Sequence, residues 1–271
     1  MKKIILALFM AIFLLPSQAK EITLLNNGKP GGSSDARTKL YHSGLEQLGY
    51  KVNYENIGKM AQAVDFFTKY DKPVMMVYYN IMSGSQSMVH TKDNYVALEY
   101  IQPMYVCTAV ELDMLPKDVT VAYGKNYNPD MVRQIIKATG KNPHVVPYKN
   151  SSAVLEAILG GDVDIAFNNQ GKSLKFIKSG KGSCFGHTGN TEAIGVQPLT
   201  KNFFIDFELP IMIATVVAKN VDIAQLRKDV HKIILDDDFV EYHTSKHLQT
   251  YLNSALDEEY KLIKESEKLW K

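Results

Sequence analysis

Runs of strand formers alternate with helical stretches along almost the whole chain, and a turn signal divides each pair. Strand-like segments fall at 22–25, 51–55, 74–79, 120–123, 145–148 and 164–167. Helical segments fall between them, at 35–48, 60–70, 129–139, 151–159 and 171–179. Gly49, Gly140 and the Gly160-Gly161 pair end three of the helices, where a left-handed backbone is cheap for glycine. Such β-α-β alternation predicts an α/β fold with largely parallel sheets. A long apolar run at 100–112 reads as one extended strand, 83–94 as a polar loop, and 183–187 and 212–218 as two more strands. Helices at 223–235, 239–246 and 257–270 close the chain.

The N-terminus has the pattern of a secretory signal peptide. Lys2 and Lys3 precede an unbroken apolar stretch from Ile4 to Leu15, then Pro16 and the small residues Ser17-Gln18-Ala19. The apolar stretch is too short to span a membrane. Cleavage is expected after Ala19, with a soluble mature chain exported to the periplasm; no cysteine follows the site to carry a lipid. About 250 residues remain, enough for two lobes with their own cores. The two blocks of alternation suggest lobe one at 20–108 and 186–271 and lobe two at 109–185. Long apolar segments, rather than Gly/Pro-rich linkers, cross between them.

Of 31 basic residues, Lys2 and Lys3 leave with the signal peptide, so 29 face 29 acidic ones. No basic patch stands out, which argues against nucleic acid as a partner. Only Arg37, Arg133 and Arg227 are arginines, so an arginine clamp is a poor candidate for holding an anion. Cys107 and Cys184 permit one disulfide in an exported chain; spacing does not decide between a bridge and two buried thiols.

Two turns share one physical design. Pro30-Gly31-Gly32-Ser33-Ser34-Asp35 links the first strand to the first helix, and Pro147-Tyr148-Lys149-Asn150-Ser151-Ser152 repeats the arrangement in the second block. A strand, a polar or glycine-rich turn and a helix N-terminus present backbone N–H groups and hydroxyls to an anion. In doubly wound sheets, ligands sit at the carboxyl ends of the strands, where both turns belong. Candidate binding residues are therefore Gly31, Gly32, Ser33, Ser34 and Asp35 from the first turn, with Ser and Asp expected to cap the helix. Tyr148, Asn150, Ser151 and Ser152 come from the second. Asn168 and Asn169 follow another strand and add amide groups; Asn80 and Ser83 are weaker candidates of the same kind.

Enzyme signatures are missing: the sequence contains no Gly-x-Ser-x-Gly elbow, no P-loop and no Cys-x-x-Cys pair. His243 and His247 have the spacing of two metal ligands on a helix, but no third ligand accompanies them, and a solvated helix face is the expected reading. No catalytic residue, metal or cofactor is expected.

These motifs resemble the substrate-binding receptors of the tripartite tricarboxylate transporters. The family's first loop is typically Pro-Gly-Gly-Gly-Ser-Asp; here it is Pro30-Gly31-Gly32-Ser33-Ser34-Asp35. Its second-lobe pattern, Val-Pro-Tyr-Lys-Gly-Gly, then Leu-Leu-Gly-Gly, Val-Asp and Phe-Asp-Asn, is matched by Val146-Pro147-Tyr148-Lys149-Asn150-Ser151, Ile158-Leu159-Gly160-Gly161, Val163-Asp164 and Phe167-Asn168-Asn169. The resemblance implies a two-lobed, type II periplasmic binding protein, or Venus flytrap, with a central sheet and flanking helices in each lobe. It further implies a small organic acid as ligand, a membrane permease as partner, and a monomeric receptor. The alternatives are a ligand-loaded sensor that docks on a histidine kinase and an enzyme on the same scaffold. The chain departs from the family at Asn56-Ile57-Gly58-Lys59, at Tyr70-Asp71-Lys72-Pro73, and at Asn150-Ser151 in place of the second-lobe glycine pair, so the ligand need not be the family's usual one.

Overall fold

The computed structural model describes residues 20–58, 60–79, 91–125, 127–190, 192–203, 205, 212–245, 249–250, 261 and 264. The signal segment, Asn80, Ser83 and all but two residues of the last expected helix lie outside them. So do His247 and most of the segment expected as a polar loop.

The described residues form two sheets. The first contains β1 (Lys20–Asn26), β2 (Tyr50–Asn56), β3 (Val74–Tyr79), β4 (Tyr95–Gln102), β10 (Met212–Lys219) and β11 (Gln249–Thr250), in the order β11-β4-β10-β3-β1-β2. The second contains β5 (Met104–Thr108), β6 (Asp118–Gly124), β7 (Asn142–Tyr148), β8 (Ile165–Asn169) and β9 (Ser183–His187), in the order β7-β6-β8-β5-β9. β1 pairs in parallel with β2 and β3, and β6 with β7 and β8. The strands beside the crossings, β4, β5, β9 and β10, pair antiparallel with theirs, so both sheets are mixed.

The helices are α1 (Ser33–Gln47), α2 (Met60–Lys69), α3 (Pro129–Ala138), α4 (Ser151–Gly160), α5 (Gln170–Lys178), the single turn α6 (Leu199–Asn202), α7 (Ile223–Ile234) and α8 (Asp237–Ser245). α3 illustrates their local logic. Asn128 caps it by accepting from the N–H groups of Asp130 and Met131, Pro129 occupies the first turn, and Lys137 meets the C-terminal end of the dipole. Its buried stripe is Met131, Val132, Ile135 and Ile136. α4 ends where Gly161 turns left-handed at φ 77°.

The expected strand at 100–112 is two strands in different sheets. β4 begins at Tyr95, β5 ends at Thr108, and Pro103 separates them. Proline lacks an N–H for either ladder, and the chain leaves the first sheet there for the second. The structure joins Cys107 and Cys184, with Cα atoms 3.8 Å apart. Their strands are neighbours and the two residues are direct cross-strand partners. The bridge lies among Tyr105, Ala122, Val154 and Phe176, in an apolar cluster of the second sheet.

Candidate functional site

Strand register brings the two candidate turns to related positions. In the second sheet, Gly124 pairs with Tyr148, Tyr123 with Phe167, and Asn169 with Met104. The carboxyl ends of β6, β7 and β8 therefore share an edge with the start of β5. In the first sheet, Leu25 pairs with Met76, Tyr79 with Ala214, and Met212 with Gln102. The carboxyl ends of β1 and β3 thus share an edge with the end of β4. The peptide link Gln102-Pro103-Met104 connects these two edges. The second crossing leaves the same edge of the second sheet, since His187 at the end of β9 pairs with Tyr105, and enters the first beside Gln102. The turns after β1 and β7 stand on the two edges that the crossings join.

The first turn is held from within. Gly32 is the N-cap of α1, and no side chain caps the helix. Asp35, expected as a cap and a ligand contact, lies in the first turn and is 3% exposed. Its Oδ2 accepts from Gly31 N–H at 2.8 Å and faces Lys39 Nζ at 3.0 Å. Its Oδ1 accepts from Asn26 Nδ2 at 3.2 Å and from the Tyr54 hydroxyl. The Tyr54 hydroxyl, followed by the Gly31 N–H and Lys39, holds the Asp35 carboxyl down to about 2. With both oxygens occupied, this carboxylate positions the turn rather than reaching out of it. Gly31 and Gly32 N–H are likewise engaged, the latter with Lys29 C=O at 3.0 Å. Gly31 has φ 73° and supplies the left-handed residue this tight bend needs. Gly28 approaches so closely that a Cβ there would lie 2.4 Å from Ser34 Cβ.

The second turn is knit to its neighbours through Ser151. Asn150 caps α4, accepting from Ser152 and Ala153 N–H at 3.0 Å each. Asn168, 2% exposed, donates through Nδ2 to Ser151 C=O at 2.9 Å. Asn169 Nδ2 donates to Ser151 Oγ at 3.0 Å, and its Oδ1 accepts from Lys172 N–H, capping α5. Tyr127 Oη lies 3.4 Å from the same Ser151 Oγ. Three strand ends and the starts of α4 and α5 converge on one serine. The two asparagines bind this region together, and Ser151 and Ser152 are half-buried.

No protein-family model matches the sequence, and no curated protein matches it. Solved structures do resemble it. A TctC solute-binding protein from Polaromonas superposes with a TM-score of 0.71 at 13% identity, over 94% of this chain and 97% of that one. MatC from Rhodopseudomonas palustris, solved with malate, has a TM-score of 0.71 at 15% identity, over 93% of this chain and 98% of that one. A further R. palustris protein, solved with adipate, has a TM-score of 0.69 at 14% identity, over 94% and 96%. The fold is that of the periplasmic solute-binding proteins. In this binding-protein fold the two sheets are the cores of two lobes, and the link at Pro103 is a connection between them.

Sequence reasoning missed three groups of residues. Asn26, Tyr54 and Lys39 surround Asp35, and only the parallel pairing of β1 with β2 brings Tyr54 to it. Tyr127 contacts Ser151 and stands edge-on to Phe167 at 6.0 Å. It shares a buried cluster with Tyr100 of lobe one, so it bears on both sides of the crossing. Behind the first turn, Arg37 of α1 and Glu99 of β4 are 3% and 0% exposed, with Nε and Oε1 3.2 Å apart. Burial opposes the charge on Arg37, but Glu99, Tyr100 and Tyr242 together outweigh it and raise its pKa. Glu99 also accepts from the Tyr41 hydroxyl at 3.1 Å and lies 3.2 Å from His243 Nε2. His243, expected on a solvated face, is instead buried against this carboxylate at 2% exposure. An alternation of charged and apolar residues in α1 and α8 carries no sign of that long-range pairing.

Proposed function

We propose that this chain is a periplasmic receptor that captures a small organic carboxylate between its lobes and delivers it to a permease of the tripartite tricarboxylate type. One observation carries the reading: the helix-opening turns after β1 and β7 stand on the two sheet edges that the chain crossings join. Helix N-termini and hydroxyls suit anions, and a pair of them across a hinge suits reversible capture by closure. Ser34, Ser151 and Ser152 are the contacts, while Asp35, Asn150, Asn168 and Asn169 hold the turns in shape; the side chain of Ser33, the other expected contact, lies outside what the structure describes. Malate and adipate in similarly folded proteins support a small carboxylate as the ligand class. The cycle needs no covalent step: the open cleft binds ligand, the lobes close, and docking on the permease reopens them.

The reading is tested by isothermal titration of the mature chain with malate, succinate, adipate and citrate, alongside X-ray scattering. At least one is expected to bind with a smaller radius of gyration, and Ser34→Ala with Ser151→Ala to weaken it about tenfold or more, two lost charge-assisted hydrogen bonds. No binding by any of the acids, or full affinity in the double variant, refutes the assignment.

A further inference from the structure

The Ser151 hydroxyl in the second turn has two neighbours, and their chemistry decides how it can bond. Asn169 Oδ1 accepts from Lys172 N–H at 3.1 Å, which turns its Nδ2 toward Ser151 Oγ, 3.0 Å away. Asn169 is therefore a donor to Ser151. A serine hydroxyl has two lone pairs and one proton, so one lone pair is taken. Tyr127 Oη stands 3.4 Å from the same oxygen, within reach of the other.

Tyr127 is built into this place. It is buried and follows β6, where its N–H donates to Gly124 C=O at 2.8 Å and closes a turn. The ring lies against Gly124: a Cβ there would stand 3.3 Å from Cε2 and 3.4 Å from Cζ, the carbon that bears the hydroxyl. Glycine leaves that space to the ring. Phe167 of β8 meets the ring edge-on. Burial raises the pKa of the phenol, so it keeps its proton at neutral pH and is able to donate it.

We infer that Tyr127 is a positioning residue for the ligand: it donates to Ser151, fills the second lone pair, and leaves the Ser151 hydroxyl able only to donate. A carboxylate only accepts, so it completes a chain from Tyr127 through Ser151 to the ligand, in which each hydrogen bond polarises the next. The inference rests on the carboxylate reading above, with Ser151 as a contact, and adds a residue that acts on the ligand through that serine.

Titration of malate, succinate, adipate and citrate into the parent, Tyr127→Phe, Ser151→Ala and Tyr127→Phe/Ser151→Ala tests the chain. Phenylalanine removes one oxygen and keeps the packed ring. Tyr127→Phe is expected to bind the acid the parent prefers about three- to tenfold more weakly, the loss of one hydrogen bond. In the Ser151→Ala background the same change should have no further effect, because the group it acts through is gone. A general loosening of lobe two would instead weaken binding alike in both backgrounds. Tyr127→Phe at the parent's affinity, or weakening by the same factor in both backgrounds, overturns the inference and leaves the receptor reading standing. Ser151→Ala at the parent's affinity, or no binding of any of the acids by the parent, removes the contact beneath it as well, which keeps the two failures distinct.

Discussion

Replacing Asp35 by asparagine should loosen the first jaw and do so only where the carboxylate would be charged. Four donors converge on its two oxygens: Asn26, Gly31, Tyr54 and Lys39. An amide keeps one acceptor and turns an NH2 group toward two of those donors. The fall of the carboxyl from 3.8 to about 2 corresponds to about 2 kcal/mol of folding free energy at neutral pH. Lys39 is 66% exposed, so solvent screens its share, and a loss of about 1–2 kcal/mol is the expected cost. The contribution of a depressed carboxylate is complete above the ordinary value of 3.8 and disappears as pH falls through about 2. Urea unfolding of the parent and Asp35→Asn, followed by circular dichroism from pH 7 down to about pH 2, measures the gap directly. It should be widest at neutral pH and shrink below pH 4. A gap that stays constant across that range would refute the reasoning, because the missing interaction would then not be that of a charged group. So would a variant as stable as the parent at pH 7.

Other substitutions examine the scaffold around the site. Glu99→Gln leaves the Arg37 guanidinium buried without its carboxylate and should cost about 3–5 kcal/mol in chemical unfolding; a loss below 1 kcal/mol would mean that Arg37 finds another anion. Cys107→Ala/Cys184→Ala opens a link spanning 77 residues and should lower stability by up to about 4 kcal/mol, if constraint of the unfolded chain dominates. Dithiothreitol should then destabilise the parent and leave the variant unmoved. His187 is buried, with Nδ1 accepting from Gly189 N–H at 3.0 Å and Nε2 lying 3.1 Å from Val196 C=O. Burial lowers its pKa, against the opposing effect of the Val196 contact, so the neutral ring's contribution is whole above 6.5 and fades as pH falls through its lower folded value. The stability gap between the parent and His187→Gln should narrow from pH 7 to pH 5, and a gap that widened would contradict a neutral buried imidazole. Gly182→Ala sets a Cβ 2.3 Å from Thr108 C=O and should destabilise lobe two, read as a lower thermal midpoint.

The order of elements was legible in the residues because it depends on local chemistry. Apolar runs of strand length, glycines after helices, and asparagine or proline at helix starts identified β1 to β3, β6 to β8 and α1 to α5 within a few residues. The two helix-opening turns were legible for the same reason: each is a short strand-turn-helix signal contained in the chain itself.

What the turns do with their residues was not legible. Asp35 reads locally as a cap or a contact, yet β2 brings Tyr54 to it and makes it an internal anchor. The apolar run at 100–112 reads as one strand, and only the division of β4 and β5 between two sheets shows that Pro103 carries the chain across. The pairing of Cys107 with Cys184, the burial of Arg37 with Glu99 and His243, and the closeness of Tyr127 to Ser151 have the same origin. Capping and periodicity are settled by neighbours a few residues apart, and the sequence by itself determined them. Which strands lie side by side, and in what register, is settled by contacts between residues tens to more than a hundred positions apart, and only the tertiary structure decided those.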